Sequence, residues 1–172
     1  MSLFNDLLSI APLKHTRRHH ALEHATLKVL SNKHPHISLL GYSDMGGFWI
    51  VGNVPTESLR DAVDEALIRL QGGESQLAIH PNCGTNFVVA GLLAGSAAWL
   101  VMAFSQGSAR RRLQDWPLVV ASSAVGVALA QPLGMMLQAR VTTEPRPGEM
   151  KITEIRVYQI RGVAVHRVIT RH

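Results

Sequence analysis

Two uncharged apolar runs dominate the chain. Residues 87–104 read FVVAGLLAGSAAWLVMAF and residues 116–137 read WPLVVASSAVGVALAQPLGMML, and neither contains a formal charge. As helices, both are about long enough to cross a hydrocarbon layer of roughly 30 Å. A helix buried in a soluble core normally carries a polar stripe, and a chain this short has little protein with which to cover two helices that lack one. The pattern predicts a transmembrane hairpin closed by the loop SQGSARRRLQD. Ser122, Gly126, Ala130 and Gly134 recur at every fourth position, and Ala90, Ala94 and Ala98 run beside Gly91 and Gly95. Such faces let helix backbones approach closely, within the hairpin or between copies. Gln131 and Pro132 interrupt the second run near its end, and Trp116 opens it where an indole favours the membrane boundary.

On either side of the runs the periodicity changes. Residues 15–31 predict a helix with Ala21, Leu22, Ala25 and Val29 on one side, ended by Pro35. Strands are expected over 37–42 and 47–51, joined by a Ser-Asp-Met-Gly turn. Leu59, Ala62, Val63, Ala66, Leu67 and Leu70 mark an amphipathic helix that Pro55 and Thr56 open and Gly72-Gly73 closes. A third short strand is expected over 77–80, leading through Pro81-Asn82-Cys83-Gly84-Thr85 into the first apolar run. Residues 152–160 and 163–170 are β-rich and flank Arg161-Gly162, as in a hairpin. Two strands alone are marginal, so this tail should pair with the earlier strands. The expected architecture is an α+β membrane protein. It has a small α+β head over residues 1–85, a transmembrane helical hairpin over 86–137, and a C-terminal β-hairpin over 138–172 that pairs with the head. Leu3, Phe4, Leu7, Leu8 and Ile10 either lie on the membrane as a short amphipathic helix or bury against the head.

Composition narrows the class. With 47% hydrophobic and 17% charged residues the chain is not a disordered tail, and its single cysteine excludes a disulfide framework. The net charge of +5 is local: −1 over residues 1–85, +2 over 86–137 and +4 over 138–172. Arg156, Arg161, Arg167 and Arg171 carry one interleaved aromatic, Tyr158, and no nucleic-acid module. They point to the anionic head groups of a lipid bilayer and not to nucleic acid. Arg110, Arg111 and Arg112 balance Arg140, Arg146 and Lys151, so the positive-inside rule leaves orientation open. The first residues lack a basic n-region, so no cleavable signal is expected. Head and tail are therefore placed in the cytoplasm, with the chain multi-pass in the cell membrane. Gly46-Gly47 and Gly72-Gly73 read as turn glycines, not phosphate loops.

The nine histidines carry the candidate chemistry. Within HTRRHHALEHATLKVL, His20 and His24 stand one helical turn apart on one face, with Glu23 and Leu27 beside them. Two imidazoles so spaced can converge on one cation while Ala21, Leu22, Ala25 and Val29 bury. A catalytic zinc takes three protein ligands and keeps a position for water. The candidates for the third are His80 and Cys83 of HPNCGTN, with Glu74, Glu65 and His166 weaker. A thiolate makes bound water less acidic, so His80 suits hydrolysis and Cys83 a closed structural site. Against this, His20 and His24 could simply hydrogen-bond to Glu23, to a backbone carbonyl or to the tail, and Cys83 could be a small buried residue. His19, His34, His36 and His172 read as solvated, and His15, Arg17 and Arg18 as contacts to lipid phosphate.

Residues 20–24 resemble the His-x-x-Glu-His zinc motif of the inverzincin metallopeptidases. The resemblance implies that His20 and His24 bind Zn²⁺ and that Glu23 is the general base. It is five residues long, the chain is shorter than those enzymes, and their downstream acidic ligand pattern is missing. More widely, HHALEHAT, GGFWIVGNV, LAIHPNCGTN and the two apolar runs are together similar to an uncharacterised family of bacterial membrane proteins known only as a domain of unknown function. That likeness covers residues 19–137 and implies no activity. Two readings are expected. One is an integral-membrane metalloprotein with a zinc-type site at the membrane surface, as in a hydrolase acting on a membrane-embedded peptide or lipid-like substrate. The other is a non-catalytic membrane subunit or scaffold that forms a homo-oligomer or joins a larger complex, its histidine helix structural or holding a pigment or haem.

Overall fold

A computed structural model describes residue 6, residues 8–105 and residues 113–171. Leu3, Phe4, Leu7, the three loop arginines Arg110, Arg111 and Arg112, and His172 lie outside the described residues. The chain divides into two units, Met1–His80 with Gln138–His172, and Pro81–Leu137.

In the first unit α1 spans Ala11–Lys33, with Pro12 in its first turn, where a missing N–H costs nothing. It ends at His34, whose N–H still reaches the Leu30 carbonyl, and Pro35 prevents continuation. β1 (Leu40–Asp44) begins three residues later than the sequence suggests and pairs antiparallel with β2 (Gly47–Val51). The connecting turn is held by the Gly46 N–H on Asp44 Oδ1 at 2.8 Å. α2 (Thr56–Gln71) buries the six apolar positions that mark its inner face. After it, the strand expected over 77–80 is absent: Ser75–Ala78 is a 3₁₀ turn, closed by the Leu77 N–H on the Glu74 carbonyl at 3.1 Å. The inner strand β2 is not available to it, since β2 pairs with β1 on one side and with the C-terminal hairpin on the other.

That hairpin is β3 (Lys151–Ile160) and β4 (Val163–Arg171). Arg161 (φ 51°) and Gly162 (φ 80°) both take the left-handed conformation of a two-residue type I′ turn. The result is a four-stranded antiparallel sheet of order β1-β2-β4-β3. Phe48 and Ile50 face Val168 and His166 across the central pair, and all four are buried. Leu22, Ala25 and Leu30 of α1 and Leu59, Val63 and Ala66 of α2 complete this core.

The second unit contains α3 (Gly84–Phe104) and α4 (Trp116–Leu137). Both are long and apolar enough to cross a membrane, with mean hydropathies of 2.1 and 1.7 over their most apolar windows. Large side chains such as Phe87, Leu92, Trp99, Val120 and Leu129 are turned outward and exposed. Val119, Gly126, Ala130 and Gly134 are the buried residues of α4. A Cβ on Gly126 would stand 2.9 Å from the Ala94 nitrogen and the Leu93 carbonyl carbon, so the two backbones meet there. The Ser123 hydroxyl donates to the Ala94 carbonyl at 3.3 Å. Gly91 and Gly95 of α3 face open space.

Candidate metal centre

The middle of α1 is enclosed on every side: all residues from Ala21 to Leu27 are buried. The sequence suggests an open polar face, but three segments cover it. β1 lies over Glu23, the 3₁₀ turn over His24, and a π-helical turn, Gln138–Thr142, over His20. His24 Nδ1 is 2.7 Å from the Ala78 carbonyl oxygen, and His20 Nδ1 is 3.0 Å from that of Thr142. A carbonyl only accepts, so in the neutral ring each Nδ1 carries the proton and each Nε2 keeps its lone pair. Backbone carbonyls orient metal-binding histidines in this way. The two rings meet edge to face with centroids 4.3 Å apart, and a ring nitrogen of one lies within 4.8 Å of a ring nitrogen of the other.

The structure brings a third imidazole alongside. The His80 ring centroid is 5.7 Å from that of His24. Its backbone is clamped by Gln138, whose side-chain oxygen accepts the His80 N–H at 2.9 Å and whose NH₂ donates to the His80 carbonyl at 3.1 Å. Burial, with the neighbouring His24 and Lys28, lowers the His80 pKa and favours the neutral ring.

Glu23 is buried against β1. Its Oε2 accepts the Ser43 hydroxyl at 2.6 Å, and its carboxylate fills the space a side chain on Gly41 would need. Burial pushes its carboxyl above the ordinary range, against the opposing pull of the Ser43 bond and of His20. A carboxylate raised in this way is a stronger base than an ordinary one.

Other residues singled out in the sequence stand apart. Glu65 pairs with Lys33 at 2.7 Å and with Arg69 at 3.4 Å, and Glu74 pairs with Arg69 at 2.7 Å. His166 Nε2 bonds the Thr56 hydroxyl at 3.1 Å. Cys83 is buried three residues beyond His80 and caps the start of α3, its sulfur accepting the Thr85 N–H at 3.5 Å. One expectation is corrected. His19 is fully buried, not solvated: its ring bridges the Asp44 carbonyl at 2.7 Å and the Thr170 hydroxyl at 2.6 Å. Arg17 is held by the chain's own backbone. Its guanidinium donates to the carbonyls of Val141 (2.6 Å), Thr143 (3.0 Å) and Leu8 (3.4 Å) and so ends the π-helical turn.

Sequence reasoning missed Gln138, Gly41 and Ser43. Gln138 is the first polar residue after an apolar run of 22, a visible if slight signal. Gly41 inside a strand marks a close approach, although nothing in the sequence names the group that approaches.

An α+β unit with a buried histidine helix, together with two long apolar helices, defines the class of the protein. The chain belongs to the family described as Domain of unknown function (DUF6391), whose profile matches residues 15–155. It is 37% identical over 146 residues to an uncharacterised protein of Picosynechococcus sp. strain PCC 7002, an alignment that covers 74% of this chain. The chain spans 65% of that relative's length. No solved structure matches it.

Proposed function

We propose that the protein is an integral-membrane metalloprotein in which His20 and His24 hold a zinc-type ion with His80 as the third ligand, and in which Glu23 serves as general base of a hydrolase of peptidase type. The observation that carries this reading is the convergence of two imidazoles from one helix turn, their centroids 4.3 Å apart and a ring nitrogen of each within 4.8 Å of the other. Two imidazole nitrogens on one zinc, each at about 2.0–2.1 Å, stand about 3.3 Å apart. The pair within 4.8 Å therefore needs to close by at most about 1.5 Å.

A bound zinc-type ion supplies an acidified water. The chain's own contribution is the raised carboxyl of Glu23, which takes the proton and returns it to the leaving group. The buried surroundings exclude bulk water. Membrane insertion is supported by the two apolar helices and their exposed apolar side chains. The cell-membrane location, the cytoplasmic head and tail and the membrane-embedded peptide or lipid-like substrate belong to the same proposal.

The test is elemental analysis of the full chain purified in mild detergent. One equivalent of metal is expected, lost in His24→Ala and retained in Glu23→Gln. Metal-free wild type, or metal kept by His24→Ala, would overturn the reading, and a Glu23→Gln variant with undiminished hydrolysis would remove the enzyme part. Gly91 and Gly95, which face open space on α3, favour a second reading, a self-associating membrane subunit or scaffold. A coloured cofactor such as a pigment or haem, or a large inactive assembly on gel filtration, would favour it.

A further inference from the structure

A cavity of about 620 Å³ opens in the first unit beside the start of α1 and the segment after the π-helical turn. Its volume falls in the range of about 300–1,000 Å³ usual for small-ligand sites. Four cations line it, Lys14, Arg17, Arg140 and Arg146, against one carboxylate, Glu144. Glu144 is engaged by Arg146 at 2.8 Å and by Arg17 at 4.0 Å, and Arg17 is further committed to backbone carbonyls. Lys14 and Arg140 have no acidic partner among the described residues. Leu8, Ala139 and Pro145 give the same cavity an apolar wall. An unbalanced positive site with apolar flanks suits an anion that carries hydrocarbon.

We propose that this cavity binds a phosphate ester, with Lys14 and Arg140 as its principal partners and Arg17 as the fixed positive wall. Arg140 follows the end of α4 by three residues, about 4–5 Å of helical rise. Basic residues that follow an apolar run so closely in sequence favour anionic lipid head groups as the source of the phosphate. The lipid as source rests on the membrane reading above, whereas the phosphate chemistry rests on the cavity alone.

The experiment uses the full chain in nonionic detergent and phosphate-free buffer, with two probes. In the first, mixed phosphatidylglycerol and phosphatidylcholine are offered and the retained lipid is read by native mass spectrometry. In the second, glycerol 3-phosphate is titrated calorimetrically. At least tenfold selection of phosphatidylglycerol is expected, lost in Lys14→Ala/Arg140→Ala and kept in Arg156→Ala, which removes a charge outside the cavity. Ala139→Trp, which fills the cavity and removes no charge, should abolish binding as well and covers the case in which the double variant fails to fold. Saturable glycerol 3-phosphate binding with the same variant pattern, but without lipid selection, supports the phosphate site and assigns it a soluble ligand. Binding of neither probe, or equal binding by wild type and Ala139→Trp, overturns the proposal.

Discussion

Gly41→Ala tests the seat of the proposed base directly. The nearest neighbours of an added Cβ would be Glu23 Oε1, Cδ and Cγ, the last at 2.8 Å. Either β1 moves or Glu23 withdraws and loses its 2.6 Å bond to Ser43. Overpacking typically costs about 1–3 kcal/mol, and a buried bond to a charged group is worth about 1.5–3 kcal/mol. Relieving the first sacrifices the second, so the two overlap and a destabilisation of about 2–3 kcal/mol is expected. At about 2–4 °C per kcal/mol for a chain of this size, the melting temperature should fall by roughly 4–12 °C. Tryptophan fluorescence during a thermal scan in detergent reads this shift. In a Glu23→Ala background the obstacle is gone, and the same glycine substitution should then cost no more than about 0.5 kcal/mol, the scatter of independent sites. An equal cost in both backgrounds would show that Glu23 does not occupy the space beside Gly41.

Three further outcomes follow from contacts elsewhere. Gly126→Ala should force α3 and α4 apart and destabilise the hairpin by about 1–3 kcal/mol, because backbone atoms cannot swing aside. Gly95→Ala, facing open space, should be neutral or slightly stabilising in the same denaturant titration. Arg17→Ala should cost about 2–4 kcal/mol by stripping the carbonyls of Val141 and Thr143, and Arg17→Lys should recover less than half, since a point charge cannot reproduce the guanidinium fork. Thermal stability of the two variants would check this. His166 has its pKa lowered from 6.5 by burial, and its Nδ1 is buried without a hydrogen-bond partner. Below about pH 6.5 the unfolded chain takes up a proton that the folded chain refuses, so stability falls as the pH drops, by at most about 1.4 kcal/mol per pH unit. His166→Gln should show a shallower decline between pH 7.5 and 5, and an unchanged slope would refute the assignment.

What the sequence discloses and what it conceals divide along the range of the interactions. The two apolar helices, α2 and the Arg161-Gly162 hairpin are written in hydropathy and turn chemistry that operate within a few residues. Residues 77–80 are misread as a strand because so short an apolar stretch has no periodicity of its own to separate a strand from a buried turn, and here it packs as the end of a 3₁₀ turn. His19 is misread for a related reason, which also hides how Arg17 is held. Their partners lie 151 and 124 residues away, at Thr170 and Val141, so local composition shows only polar side chains with no visible reason to be buried. The motif of residues 20–24 sits between these cases: its helical spacing is legible, and the elements that enclose it are not. Enclosure changes its meaning. Buried polar groups require partners, and the carbonyls of Ala78 and Thr142 supply one to each ring. The carbonyl bonds are therefore common to a structural and to a metal-binding helix, and the metal content of wild type against His24→Ala is what separates the two.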